Sequence, residues 1–174
     1  MIARPWIIDV EASGFGAGSY PIEIGVAFPN GRTRCLLIQP MPEWTHWDPA
    51  AEAIHRISRQ MLLRHGETTR RCCEKLNNWL AGQTVYSDAW GNDSSWLGLL
   101  YDSVNILPSF KLDSFRKLLS DEQLMRWAEA KQQAFAFMPM LRHRASTDAL
   151  VLQEALILSQ TLHGEMSNND EESE

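Results

Sequence analysis

Between Trp6 and Gly16 the chain reads Trp-Ile-Ile-Asp-Val-Glu-Ala-Ser-Gly-Phe-Gly. Trp6, Ile7, Ile8 and Val10 are large or β-branched, the residues that fill a strand interior. Asp9 and Glu11 interrupt them. Side chains two apart on a strand share a face, so these two carboxylates stand side by side. Like charges against an apolar core are costly unless something cancels them. A divalent cation does so, and hard oxygen ligands suit magnesium or manganese. A half-exposed edge strand with two solvated acids is the plainer alternative, and Asp-Val-Glu taken alone favours it.

A glycine-punctuated loop (Gly14, Gly16, Gly18) follows, then an alternating second strand over residues 21–28. Pro29-Asn30-Gly31 is a hairpin signal, and residues 33–38 return as a third strand. Residues 40–49 form a Trp-bearing loop. Short helices are expected over 49–54 and, capped by Ser58, over 59–63. Thr68 or Thr69 opens a stronger amphipathic helix through Leu80, stopped by Gly82. Residues 84–86 read as a strand, 94–101 as a helix and 106–112 as a strand around Pro108. Asp113 is placed to cap a helix over 114–119, and two further helices are expected over 121–132 and about 146–162. A meander first, then strands alternating with helices, argues an α/β fold: a central mixed sheet flanked by helices.

At 174 residues the chain suits one domain with a substantial core. No apolar run is long enough for a membrane span. Residues 1–5 lack a secretion-signal pattern. The three cysteines, Cys35, Cys72 and Cys73, have no metal-type spacing and fit a reducing cytoplasm. The formal charge is −6, but five acids (Glu165, Asp170, Glu171, Glu172, Glu174) lie after Gly164; removing them leaves −1. We therefore divide the chain into a domain over 1–163 and an acidic tail over 164–174, expected to be disordered. The near-neutral body argues against a high-affinity duplex binder but not against an enzyme that grips a few nucleotides through metal ions.

Two further stretches carry chemistry. His143 precedes the last helix and Asp148 lies in its first turn, where the helix dipole favours an acid. Each has an ordinary reading alone, a surface histidine and a helix-terminal charge. Together they offer a third carboxylate and a base poised near neutral pH. Asp93 stands after a strand where a helix begins, so capping is its ordinary role and a fourth carboxylate its functional one. Asp88, nearer the strand, competes for that place.

The constellation resembles the DEDDh exonucleases, which include proofreading exonucleases, oligoribonuclease and ribonuclease T. His143-Arg144-Ala145-Ser146-Thr147-Asp148-Ala149 is similar to that family's His-x-Ala-x-x-Asp-Ala, and Asp9-Val10-Glu11-Ala12-Ser13-Gly14 to its first motif. Pro21-Ile22-Glu23-Ile24-Gly25 resembles its second strand. Ala53-Ile54-His55-Arg56-Ile57-Ser58 resembles its His-Gly-Ile stretch, with Arg56 in the glycine's place. Ser87-Asp88 takes the place of a His-Asn pair, and Asp93 follows one residue later than the pattern expects. Asp93-Ser94-Ser95-Trp96-Leu97 is nonetheless similar to the Asp-x-x-aromatic-Leu that opens the family's helix, so Asp93 is preferred to Asp88.

The resemblance implies an RNase H-like fold and a 3′-to-5′ exonuclease. Asp9, Glu11, Asp93 and Asp148 would hold two divalent cations, Mg2+ or Mn2+, and His143 would deprotonate the attacking water. Products would be nucleoside 5′-monophosphates. Partners would be single-stranded DNA or RNA, or short oligonucleotides, with a homodimer by analogy. Phe15 holds the position of the family's apolar wedge against terminal bases; packing under the loop is its alternative. The Met138-Pro139-Met140 stretch before His143 reads as a loop that closes on substrate. Trp79 and Trp127 read as core. Trp44, Trp47 and Trp90 lie in loops, where packing is the first expectation. Glu23 reads as an arginine partner rather than a catalytic acid. The competing reading is a non-catalytic RNase H-like nucleic-acid-binding or polymerase-accessory module.

Overall fold

The computed structural model describes residues 4–138 and 143–170, without the side chains of 161–170. Five strands form one mixed sheet: β1 (Trp6–Ala12), β2 (Pro21–Ala27), β3 (Thr33–Leu37), β4 (Thr84–Ser87) and β5 (Lys111–Ser114), in the order β3-β2-β1-β4-β5. β1, β2 and β3 pair antiparallel, as the meander predicts; β4 and β5 are parallel to β1. The helices are α1 (Pro49–His55), α2 (Arg59–His65), α3 (Thr69–Leu80), α4 (Trp90–Asp102), α5 (Asp121–Phe137) and α6 (Ala145–Asp170). Asp48, Ser58 and Thr68 cap the first three through side-chain bonds to Ala50, Met61 and Arg71 amides. Among the described residues no helix is long and apolar enough to cross a membrane.

The alternation of β1 divides its side chains between two cores. Ile8 and Val10 join Ile22, Ile24, Leu76, Leu80, Leu97 and Leu100 under α3 and α4. Ile7 faces the other way, against Ala149, Leu152 and Leu156 of α6. Fully burying each of the isoleucine, leucine and valine side chains contributes roughly 1.5–3 kcal/mol. Asp9 and Glu11 share Ile7's face and so lie beneath the first turn of α6. α6 comes this close because residue 25 is glycine: a Cβ there would stand 2.0 Å from the Ala145 carbonyl carbon.

Five expectations are corrected. The strand around Pro108 starts only at Lys111, because β4 begins pairing at Thr84↔Lys111 and proline has no amide to donate. Asp113 is therefore a strand residue, and the helix it was to cap is a 3-10 turn over Phe115–Leu118. α4 begins at Trp90 rather than Ser94, its first three residues exposed and Gly91 among them. α5 runs five residues past Gln132, and α6 runs to Asp170 rather than to about residue 162. Extending a formed helix adds one bond per residue ordered, so composition is a poor guide to its end. The expected closing loop at 139–142 and the last acids at 171–174 lie outside the described residues.

Arg56, in the glycine's place, adopts the left-handed conformation a glycine would (φ 59°) as the C-cap of α1. The turn is kept, at a steric cost of roughly 1–2 kcal/mol. Trp44 is core, stacked on Tyr20 with ring centroids 5.3 Å apart. Trp79 and Trp127 pack half-buried against the cores as expected, and Trp90 is exposed.

Candidate active site

One carboxylate oxygen each from Asp9, Glu11 and Asp148 lies within 4.8 Å of the others. Strand period brings the first two together; the first turn of α6, docked over Gly25, brings the third. Asp93 approaches from α4. It does not cap that helix, since residue 89 at its start is alanine and makes no side-chain bond. Its carboxylate is buried and accepts a hydrogen bond from the Ser87 hydroxyl. All four acids line a cavity of about 360 Å³ with Gly14, Phe15, Ile54, His55, Trp96 and His143. Asp88 is not among its lining residues; its carboxylate pairs with Lys131 Nζ at 2.7 Å.

Among the described residues, no ion pair joins a basic side chain to Asp9, Glu11 or Asp93. Burial pushes the Asp9 carboxyl well above the ordinary range, and the charges of Asp93, Glu11 and Asp148 push it further. Glu11 is pushed up to about 7 by burial, then by Asp148 and Glu23, with Arg144 opposing weakly. Asp93 is pushed up to about 7 by burial, against the Ser87 bond that lowers it. Tightly spaced carboxylate oxygens of this kind suit a hard divalent cation. Asp9, Glu11 and Asp148 could hold one such ion between them, and the Asp93 carboxylate lies in the wall of the same cavity.

His143 is exposed at the cavity, in the left-handed conformation (φ 61°), two residues before α6. Phe15 is 73 % exposed, so the packed alternative does not hold. Its ring lies 6.0 Å from Trp96, which donates through Nε1 to Ser19 Oγ at 3.0 Å. The loop beneath is pinned by Ser13, whose hydroxyl accepts from the Tyr20 amide at 3.1 Å and bonds His46 Nδ1 at 2.9 Å. Gly14 is required there: a Cβ would lie 2.6 Å from Asp48 Cβ.

Three contributors stand in motifs of the sequence that assign them no role. Ser87 orients Asp93 from six residues upstream, and Trp96 backs Phe15 through long-range packing. His55, visible in a motif but without a role, is buried; its Nδ1 accepts from the Ile57 amide at 3.0 Å. That bond leaves the hydrogen on Nε2, which has no partner among the described residues. Burial pushes the imidazole below its ordinary pKa, favouring this neutral donor form.

Comparison with known proteins places the fold. No protein-family model and no curated protein sequence matches the chain. Solved structures do. E. coli exonuclease I, in the zinc-ion-bound form of its complex with single-stranded DNA, superposes with a TM-score of 0.65 at 11 % identity, covering 95 % of this chain and 41 % of that one. The same enzyme with a dT13 oligonucleotide gives 0.67 at 12 % identity, covering 97 % and 43 %. Exonuclease I from Methylocaldum szegediense gives 0.59 at 14 %, covering 90 % and 39 %. The chain thus spans less than half the length of these structures, and what it shares with them is the fold: an RNase H-like mixed sheet flanked by helices.

Proposed function

We propose that this chain is a metal-dependent 3′-to-5′ exonuclease acting on single-stranded nucleic acid. The observation that carries this is the convergence of Asp9, Glu11, Asp93 and Asp148 on one cavity, with a histidine and an exposed aromatic ring at its wall. In this reading the four carboxylates hold two divalent ions, Mg2+ or Mn2+. Bound there, the ions supply a nucleophilic water at neutral pH and charge stabilisation of the leaving 3′ oxygen. His143 accepts the proton of that water. Phe15 stacks on the terminal base, a contact worth about 1–3 kcal/mol per base and tolerant of sequence. The products are nucleoside 5′-monophosphates. Residues 1–163 form the working domain.

The neighbours' single-stranded DNA complexes favour DNA over RNA as the polymer. A time course on 5′-labelled single-stranded DNA and RNA of equal sequence, with manganese and with EDTA, tests the reading. A metal-dependent ladder shortening from the 3′ end, faster on DNA, is expected. Full-length substrate throughout, with manganese demonstrably bound, would replace the enzyme with the non-catalytic module.

A further inference from the structure

Glu23 is fully buried and lies directly across β1–β2 from Glu11, on the same face of the sheet. Its carboxylate is saturated. Arg144 Nε reaches both oxygens, at 3.0 and 3.1 Å, and Arg144 Nη2 also donates to Oε1. The Ala145 amide donates to Oε2 at 2.9 Å, and the Cys35 thiol to Oε1 at 2.9 Å. Burial and Glu23 push that thiol up to about 12, which keeps it a donor. Arg144 is fixed at its other end as well: its carbonyl accepts the Thr147 and Asp148 amides at 2.8 and 3.0 Å, opening α6. His143 is the adjoining residue, and its left-handed backbone sets the direction in which its side chain leaves the chain.

We infer that Glu23 and Arg144 form a latch that positions His143 and Asp148 together against Asp9 and Glu11. One carboxylate on β2 thereby sets the place of the proposed base, one residue before Arg144, and of the proposed metal ligand, four residues after it. Arg144 also neutralises the one buried acid that faces Glu11 from the neighbouring strand. Neither latch residue lines the cavity, so both are positioning residues. Their role in turnover rests on the nuclease reading; their role in docking the start of α6 does not.

The test uses the full chain with Glu23→Gln, Arg144→Lys and the double variant Glu23→Gln/Arg144→Met. Gln keeps an acceptor for the Ala145 amide but loses the charge; Lys keeps the charge but loses the fork. At saturating manganese and well below each variant's Tm, kcat on a single-stranded oligonucleotide should fall about 100-fold, the effect of misplacing a reacting group by about 1 Å. KM should stay within about twofold, since no substrate contact is touched. The double variant should lose no more than the worse single one. Amide exchange over residues 145–148 should quicken in all three variants while β1 and β2 stay protected. Unchanged kcat in well-folded single variants, equal changes in kcat and KM, or losses that multiply would overturn the latch. Unchanged exchange at 145–148 would overturn it even if the wild-type chain hydrolysed nothing, a result that would by itself remove only the nuclease reading.

Discussion

Glu11 and Glu23 are partners across two adjacent strands, on one face of one sheet, yet their surroundings are opposite. Glu23 is enclosed by an arginine fork, a backbone amide and a thiol. Glu11 meets Asp9 and Asp148. The same fold therefore shows how it settles a buried carboxylate when the purpose is structural, and leaves the next one unsettled. Gathering carboxylates this closely is a cost that packing alone does not require. Their position at the wall of a cavity, beside His143 and Phe15, gives that cost a use.

The largest effect should come from removing one member of the unsettled group. Asp9→Asn should lower hydrolysis on the order of a thousandfold, the upper range for losing one electrostatic stabiliser. Asp88→Asn, which breaks only the Lys131 pair, should leave the rate within about twofold and stability within about 1 kcal/mol. Steady-state rates on one oligonucleotide decide both; an inactive Asp88→Asn and an active Asp93→Asn would exchange their assignments.

Stability should distinguish the two glutamates by sign. Glu23→Ala leaves an arginine fork and a helix-start amide without their acceptor and should destabilise by about 3 kcal/mol. Glu11→Gln should raise the stability of the metal-free chain. Urea unfolding in EDTA measures both, and losses of the same sign would erase the distinction.

The pH dependence follows from the same contrast. Folded, Glu11 and Asp93 keep their protons up to about pH 7; unfolded, they release them near pH 4. Between those values the folded chain binds more protons than the unfolded one, so stability falls as pH rises. Each carboxylate contributes at most roughly 3–4 kcal/mol to this loss. Metal-free protein should thus melt at a lower temperature at pH 8 than at pH 5, and manganese should reverse the order. A metal-free Tm that rises over this interval would contradict the shifts.

The smallest effect is at the cavity wall. Phe15→Ala should raise KM about tenfold through lost stacking and leave Tm unchanged, since the ring is mostly exposed. A drop in Tm would make Phe15 a packing residue after all.

Much of this was legible in the sequence because strand period and helix-start position are local properties. Asp9 and Glu11 had to share a face, and Asp148 had to sit in a first turn. Asp93 could be preferred to Asp88 only through resemblance, and the Lys131 partner of Asp88 comes from a helix 43 residues away. Ser87, Trp96 and the free edge of His55 acquire meaning only after packing. Gly25 looked like an ordinary strand residue; its importance is a close approach that no local pattern reports. The displaced β5 and the extended α6 fail for a related reason: strand pairing and helix propagation are set by neighbours rather than by composition.

The central claim is that a divalent cation binds this cluster of carboxylates. Manganese titration followed by paramagnetic resonance, with proton release recorded at pH 7, tests it most directly. The account predicts two ions per chain, release of protons as Glu11 and Asp93 ionise, and loss of binding in Asp9→Asn. Absence of binding at millimolar manganese, or binding that survives Asp9→Asn unchanged, would contradict it.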